Sequence, residues 1–191
     1  MNSAESRSTM TLLKVHPGGF FWRVTRSERE AHVLRLLSET GRIVVITNTL
    51  REAVDFSERL RLSGVRVLVA IDVADIAPMA AFKADHVSTL VATQEYVIAH
   101  GPIEAPTVVH LRTSPSVRDY ARRIDAVLAP AHITFIVPED ERRVGSLLSH
   151  LEADSGHGIP DEVEFHDVVD RTATTGFANV SHARRRFSLR G

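Results

Sequence analysis

The chain has 191 residues, 43% of them hydrophobic and 25% charged, which is enough to bury one sizeable core and excludes a wholly disordered, collagenous or coiled-coil chain. No run approaches the roughly 20 apolar residues of a membrane span, and the Ser/Thr-rich start from Met1 to Thr11 lacks the apolar stretch of a secretory signal. Net charge is −1 and cysteine is absent, so disulfides, thiolate metal sites and cysteine nucleophiles are excluded, and a cytoplasmic location without a membrane is the expectation.

Gly19-Phe20-Phe21-Trp22-Arg23-Val24 reads as a short strand. Ser27-Glu28-Arg29-Glu30 has capping-box spacing and opens a helix with Val33, Leu34, Leu36 and Leu37 on one face and Gly41 as its stop. Ile43 to Ile46 is a continuous apolar strand. Thr49-Leu50-Arg51-Glu52 is a second capping box, followed by Ala53, Val54, Phe56 and Leu60, with Gly64 as the C-cap. Val65 to Ile71 is a strand, and Ala74 to Phe82 a short helix disturbed by Pro78. Further strands are expected at Val87–Thr93, Thr107–Arg112 and His132–Val137, with helices over Ser116–Leu128 and Pro138–Leu151.

Strands apolar along their whole length, separated by amphipathic helices, predict an α/β domain with a parallel sheet covered on both faces over residues 12–152. Residues 1–11 are expected to be disordered. Gly156, Gly158 and Pro160 break the pattern, and 153–191 reads as a flexible tail. Such folds bind ligands beyond the carboxyl ends of their strands. The candidate loops are therefore Thr47-Asn48-Thr49, Ile71-Asp72, Ala92-Thr93-Gln94, Arg112 to Pro115 and Val137 to Glu139.

The chemistry in those loops is sparse. Neither lysine, Lys14 nor Lys83, follows a glycine, so the chain has no Walker A lysine, and Gly18-Gly19 is too short for a dinucleotide fingerprint. Asp154-Ser155-Gly156-His157 has hydrolase residue types outside the packed region and reads as a loop. His150, Asp154 and His157 read as chance neighbours rather than metal ligands, and no metal or resident cofactor is expected. Asn48 and Thr93 at strand ends are equally caps and phosphate contacts. Arg118, Arg122 and Arg123 share one helix, whose simplest reading is a solvated basic face. Arg171, Arg184, Arg185, Arg186 and Arg190 make the last 21 residues basic with no acidic residue, so the 24 carboxylates all lie before them. That tail either attracts nucleic acid or folds back on the acidic body.

The order of these pieces resembles the second RecA-like (helicase C-terminal) domain of the DEAD-box RNA helicases. Phe20-Phe21-Trp22-Arg23-Val24 is similar to the family's opening strand, and Ile43 to Thr49 looks like motif IV. Phe82-Lys83-Ala84-Asp85-His86-Val87 leading into Leu90-Val91-Ala92-Thr93 resembles "FRSGK…LVATD". Ile103-Glu104-Ala105-Pro106 resembles "LDIP", and Ile133 to Arg142 resembles "ITFVTPEDER". The departures are equally specific. Motif VI, "HRIGRTGR", aligns with Arg122 to Ala129: its first arginine survives as Arg123, while its two later arginines are Ala126 and Ala129. Gln94 stands where motif V has an aspartate, and the helicases' first RecA domain, with its Walker motifs, has no counterpart here.

The resemblance implies a RecA-like, P-loop-NTPase-type fold. It implies RNA-phosphate contacts at Asn48, Thr49 and Thr93, joined by Arg184, Arg185 and Arg186, and a nucleotide-facing remnant of Glu104 and Arg123. Arginine fingers contribute about 10³–10⁵ in rate, so alanine at both finger positions implies no autonomous ATPase. The expected function is a non-catalytic helicase-like domain binding RNA, other nucleic acid or a protein partner. The alternatives are one half of a two-chain helicase, with ATP only if a partner supplies the first RecA-like domain, and a Rossmann-like interaction module.

Overall fold

The computed structural model describes residues 10–16, 19–140, 144, 165–168 and 184–185. In chain order the elements are β1 (Met10–His16), β2 (Gly19–Arg23), α1 (Arg29–Thr40), β3 (Ile43–Thr47), α2 (Leu50–Leu62), β4 (Val67–Ala70) and α3 (Ala77–Lys83). They continue with β5 (Thr89–Thr93), α4 (Gln94–His100), β6 (Ile103–Glu104), β7 (Thr107–His110), α5 (Val117–Ala126), β8 (Val127–Leu128) and β9 (Ala131–Ile136). A single 3₁₀ turn, Pro138–Asp140, precedes the short strands β10 (Phe165–Val168) and β11 (Arg184–Arg185).

Six strands form the parallel sheet in the order β2-β9-β7-β3-β5-β4. Beyond β2 the sheet continues antiparallel through β1, β10 and β11. The central strands β3, β5 and β7 are buried along their whole length. Their side chains alternate between two cores, as a strand period of two requires. Ile43 and Val45 join Val33, Leu36, Phe56 and Leu60 beneath α1 and α2. Val44 and Ile46 join Met79, Phe82, Tyr96 and Val97 beneath α3 and α4. Each such fully buried side chain contributes about 1.5–3 kcal/mol, so the two-faced sheet is what the burial energy specifies.

Caps explain where several helices begin. Thr49, Thr93 and Ser116 each accept a bond from the backbone N–H three residues on, at 3.2, 3.3 and 3.1 Å. The first capping box forms differently from its expectation. The N-cap of α1 is Glu28, not Ser27, and its carboxylate accepts from the Thr25 N–H and hydroxyl, both at 2.8 Å. Glu28 is spent on the preceding turn. Gly41 and Gly64 take positive φ, 71° and 84°, just past α1 and α2, as left-handed helix stops require.

Pro78 lies in the first turn of α3 rather than inside it, and the Asp72 and Asp75 carboxylates hold the preceding turn. Helix α5 ends at Ala126, because Val127 and Leu128 leave to pair with β6. Of the helix expected over Pro138–Leu151, the 3₁₀ turn and Val144 are described, and 145–151 lies outside the described residues.

His32 packs at a tilt against the chain's one tryptophan, Trp22, with ring centroids 4.2 Å apart. Burial holds its pKa below the ordinary 6.5, against the opposing pull of Glu28. The folded state therefore prefers the neutral ring, the unfolded chain binds the extra proton, and stability falls as pH drops from 6.5 toward the folded pKa. Trp22 fluorescence should titrate with a midpoint below 6.5 in the folded protein, and His32→Phe should abolish that transition. A midpoint above 6.5 would contradict the burial argument.

Candidate functional site

The parallel register brings the carboxyl ends of the central strands together. Thr47 pairs with Thr93, Ile46 with His110, and His110 with Thr134. Asn48 and Gln94, one residue beyond Thr47 and Thr93, therefore sit side by side above the sheet. Arg123 reaches them from α5, because helical side chains tilt back toward the helix N-terminus.

Arg123 is fully buried, the largest such side chain among the described residues. Its Nε donates to Gln94 Oε1 at 2.6 Å, and its Nη2 donates to Asn48 Oδ1. Nη1 has no hydrogen-bond partner among the described residues. Burial pulls the guanidinium from 12.5 down to about 10, while Asp119, Glu95 and Glu52 pull it back up, so it stays charged at neutral pH.

Asn48 extends the network. Its Nδ2 donates to the Thr113 carbonyl at 3.0 Å, and its backbone N–H to Glu52 Oε2 at 3.3 Å. The other Glu52 oxygen takes Arg29 Nη1 at 3.0 Å, and Arg29 also donates to the Leu111 carbonyl at 3.2 Å. A second tie joins the loop after β7 to the turn after β9. Arg112 Nε and Nη2 clasp the Asp140 oxygens at 3.0 and 2.6 Å. That bond raises the Arg112 pKa, and the Asp140 side chain is 1% exposed. Four crevice loops are thus cross-tied by polar bonds.

The structure brings some of the sequence-predicted residues together and separates others. Asn48 is half-buried within the network. Thr49 is exposed at the α2 N-terminus, and Thr93 is buried with its hydroxyl capping α4. Arg118 and Arg122 are exposed, whereas Arg123 leaves that face for the interior. The solvated basic face is correct for two of the three arginines. Glu104 is exposed at the other end of the sheet, in a shallow depression with Arg42, Pro106 and Leu128. Arg42 and Pro106 immediately precede β3 and β7, so Glu104 lies at the opposite end of the sheet from Arg123. Arg184 and Arg185 belong to β11, paired with β10, while Arg186 and the His150/Asp154/His157 group lie outside the described residues.

Arg29, Glu52, Gln94, Arg112 and Asp140 were not singled out as site residues. Gln94 had a signal: it departs from the family's aspartate at the position that meets Arg123. The Arg112–Asp140 clasp spans 28 residues and had none.

No family model and no curated protein matches the chain. Solved structures do. The RNA helicase Prp28 from Chaetomium thermophilum, bound to ADP, superposes with TM-score 0.63 at 18% identity, covering 78% of this chain and 40% of that one. A DEAD-box protein from Methanococcus jannaschii gives 0.61 at 16%, covering 72% and 40%. E. coli SrmB, bound to the regulator of ribonuclease activity RraA, gives 0.59 at 17%, covering 70% and 84%. The fold is that of a helicase C-terminal RecA-like domain.

Ala126, at the end of α5, is buried. Its carbonyl lies so close to Gly101 that a Cβ there would come within 2.7 Å. A side chain at Gly101 would therefore clash with the end of α5.

Asn48→Ala would leave the Arg123 charge buried and half-paired, and should cost about 3 kcal/mol in urea unfolding. Adding Arg123→Met removes that charge, so the double variant should lose clearly less than the sum of the single losses. Additivity within about 0.5 kcal/mol would contradict the network.

Proposed function

We propose that this chain is a helicase C-terminal-like domain that hydrolyses no ATP by itself and binds single-stranded RNA along the loop after β3 and the exposed start of α2. The observation that carries the reading is the state of Arg123. The arginine that the helicase resemblance assigns to the nucleotide is wholly buried and bonded to Asn48 and Gln94. A guanidinium held in this way stabilises the fold and offers no fork to a γ-phosphate. The position of Glu104 at the other end of the sheet supports the same conclusion.

The RNA half of the proposal rests on the opposite kind of residue. Thr49 is exposed where the backbone N–H groups of α2 begin, the end of a helix dipole that favours phosphate. Arg51, 91% exposed, stands beside it. Thr93 is 4% exposed and its hydroxyl accepts the Tyr96 N–H, so its part is to hold α4 in place beside that surface. The Arg184-Arg185-Arg186 run supplies a sequence-independent, salt-sensitive attraction. ATP enters the account only with a partner carrying a first RecA-like domain. A protein-interaction module is the second reading, favoured by exposed Leu50 and Val54, one turn apart on α2 next to Thr49.

The test is a titration of a fluorescent single-stranded RNA with the full chain at about 50 and 150 mM salt, with ATP turnover measured in parallel. Binding should weaken at the higher salt, and Arg51→Ala should reduce the salt slope by about one. A variant with Arg184, Arg185 and Arg186 all changed to alanine should bind more weakly but still bind. ATP turnover should stay at background. No binding at low salt would overturn the RNA reading in favour of the protein module. Turnover by the chain alone would overturn the ATP half.

A further inference from the structure

The two sides of the parallel sheet end differently. Beyond β2 the chain adds β1, β10 and β11 from its own ends. On the other side β4 pairs with β5 and, among the described residues, with no further strand. Edge strands are ordinarily protected by a charge, a proline or a bulge. Val67-Leu68-Val69-Ala70 has none of these, and Val67, Leu68 and Val69 are only half-buried. The exposed Arg61 reaches over its start, its Nη2 donating to the Val67 carbonyl at 3.2 Å.

We propose that β4 pairs antiparallel with β4 of a second copy of this chain, about a two-fold axis at Val69. In that register Leu68 lies opposite Ala70, Val67 opposite Ile71, and Arg66 opposite Asp72 of the other copy. Opposed residues of an antiparallel pair share a face, so two Arg66–Asp72 pairs form, one at each end. Both side chains are exposed. Among the described residues Arg66 has no ion-pair partner. Asp72 gives Oδ1 to the Ala74 N–H at 2.9 Å, leaving Oδ2 for the second copy.

A slip by one residue would set Arg66 against Ile71 or Val73, so the charges select the symmetric register. The pairing also brings the end of the edge bearing Leu62 beside the end bearing Val73 and Ile76, which are 84%, 44% and 66% exposed. A parallel arrangement would not be self-complementary and would not close as a dimer. The inference uses none of the residues on which the RNA reading rests, so it stands or falls independently of that reading.

Sedimentation velocity on the full chain, at concentrations up to about 100 μM, tests it. The chain should show a concentration-dependent monomer–dimer equilibrium. Arg66→Asp and Asp72→Arg, each placing like charges at both ends, should each weaken the dimer by about tenfold or more. Mixing the two single variants should restore it, because both ends of the heterodimer then carry opposite charges. Circular dichroism of each variant checks that its fold is retained, and the mixture carries its own control. A monomer throughout would overturn the proposal. So would a dimer indifferent to both substitutions, or a mixture that fails to recover.

Discussion

The buried guanidinium of Arg123 sets the terms for the carboxyl end of this sheet. Arg123 enters the interior with its charge intact, and a buried charge is tolerable only if surrounding dipoles replace water. Gln94 and Asn48 are those dipoles, each supplied by the first residue after a neighbouring strand. Asn48 then fixes the Thr113 carbonyl and shares Glu52 with Arg29, so the loops after β3, β5 and β7 take one mutual arrangement. Arg112 and Asp140 fasten the last loop to the same assembly.

This arrangement gives physical content to the departures from the helicase pattern. Gln94 in place of an aspartate supplies a neutral oxygen to Arg123. Its amide completes the pair without a second buried charge to desolvate. Ala126 stands where the helicase resemblance has an arginine, and its carbonyl packs against Gly101. The proposed role makes this domain a fixed scaffold.

Much of the sheet was legible in the sequence because burial on both faces writes a simple pattern. Ile43–Thr47 is a continuous β-branched run, Thr89–Thr93 and Thr107–His110 are rich in Val and Thr, and the Thr49 cap was readable from its spacing with Glu52. Helix α4 was not legible: it has only seven residues, and Tyr96 stands where a capping box would have an acid. Strand β1 was missed because Met10–His16 mixes polar and apolar residues without clean alternation. The site was half legible. Asn48, Thr93 and Arg123 could be picked out by position, but which way Arg123 faces depends on helix α5 meeting strands far from it in the chain. Arg122 and Arg123 are adjacent in sequence, and only packing decides that one is solvated and the other sealed.

The central claim is that Arg123 belongs to the fold and not to a nucleotide. The most direct test follows the Arg123 Nε–H by nitrogen-resolved NMR, with and without Mg·ATP and single-stranded RNA. The account expects a slowly exchanging, protected proton whose shift and exchange rate ignore both additions. A proton that exchanges at solvent-exposed rates, or that moves when Mg·ATP is added, would contradict it.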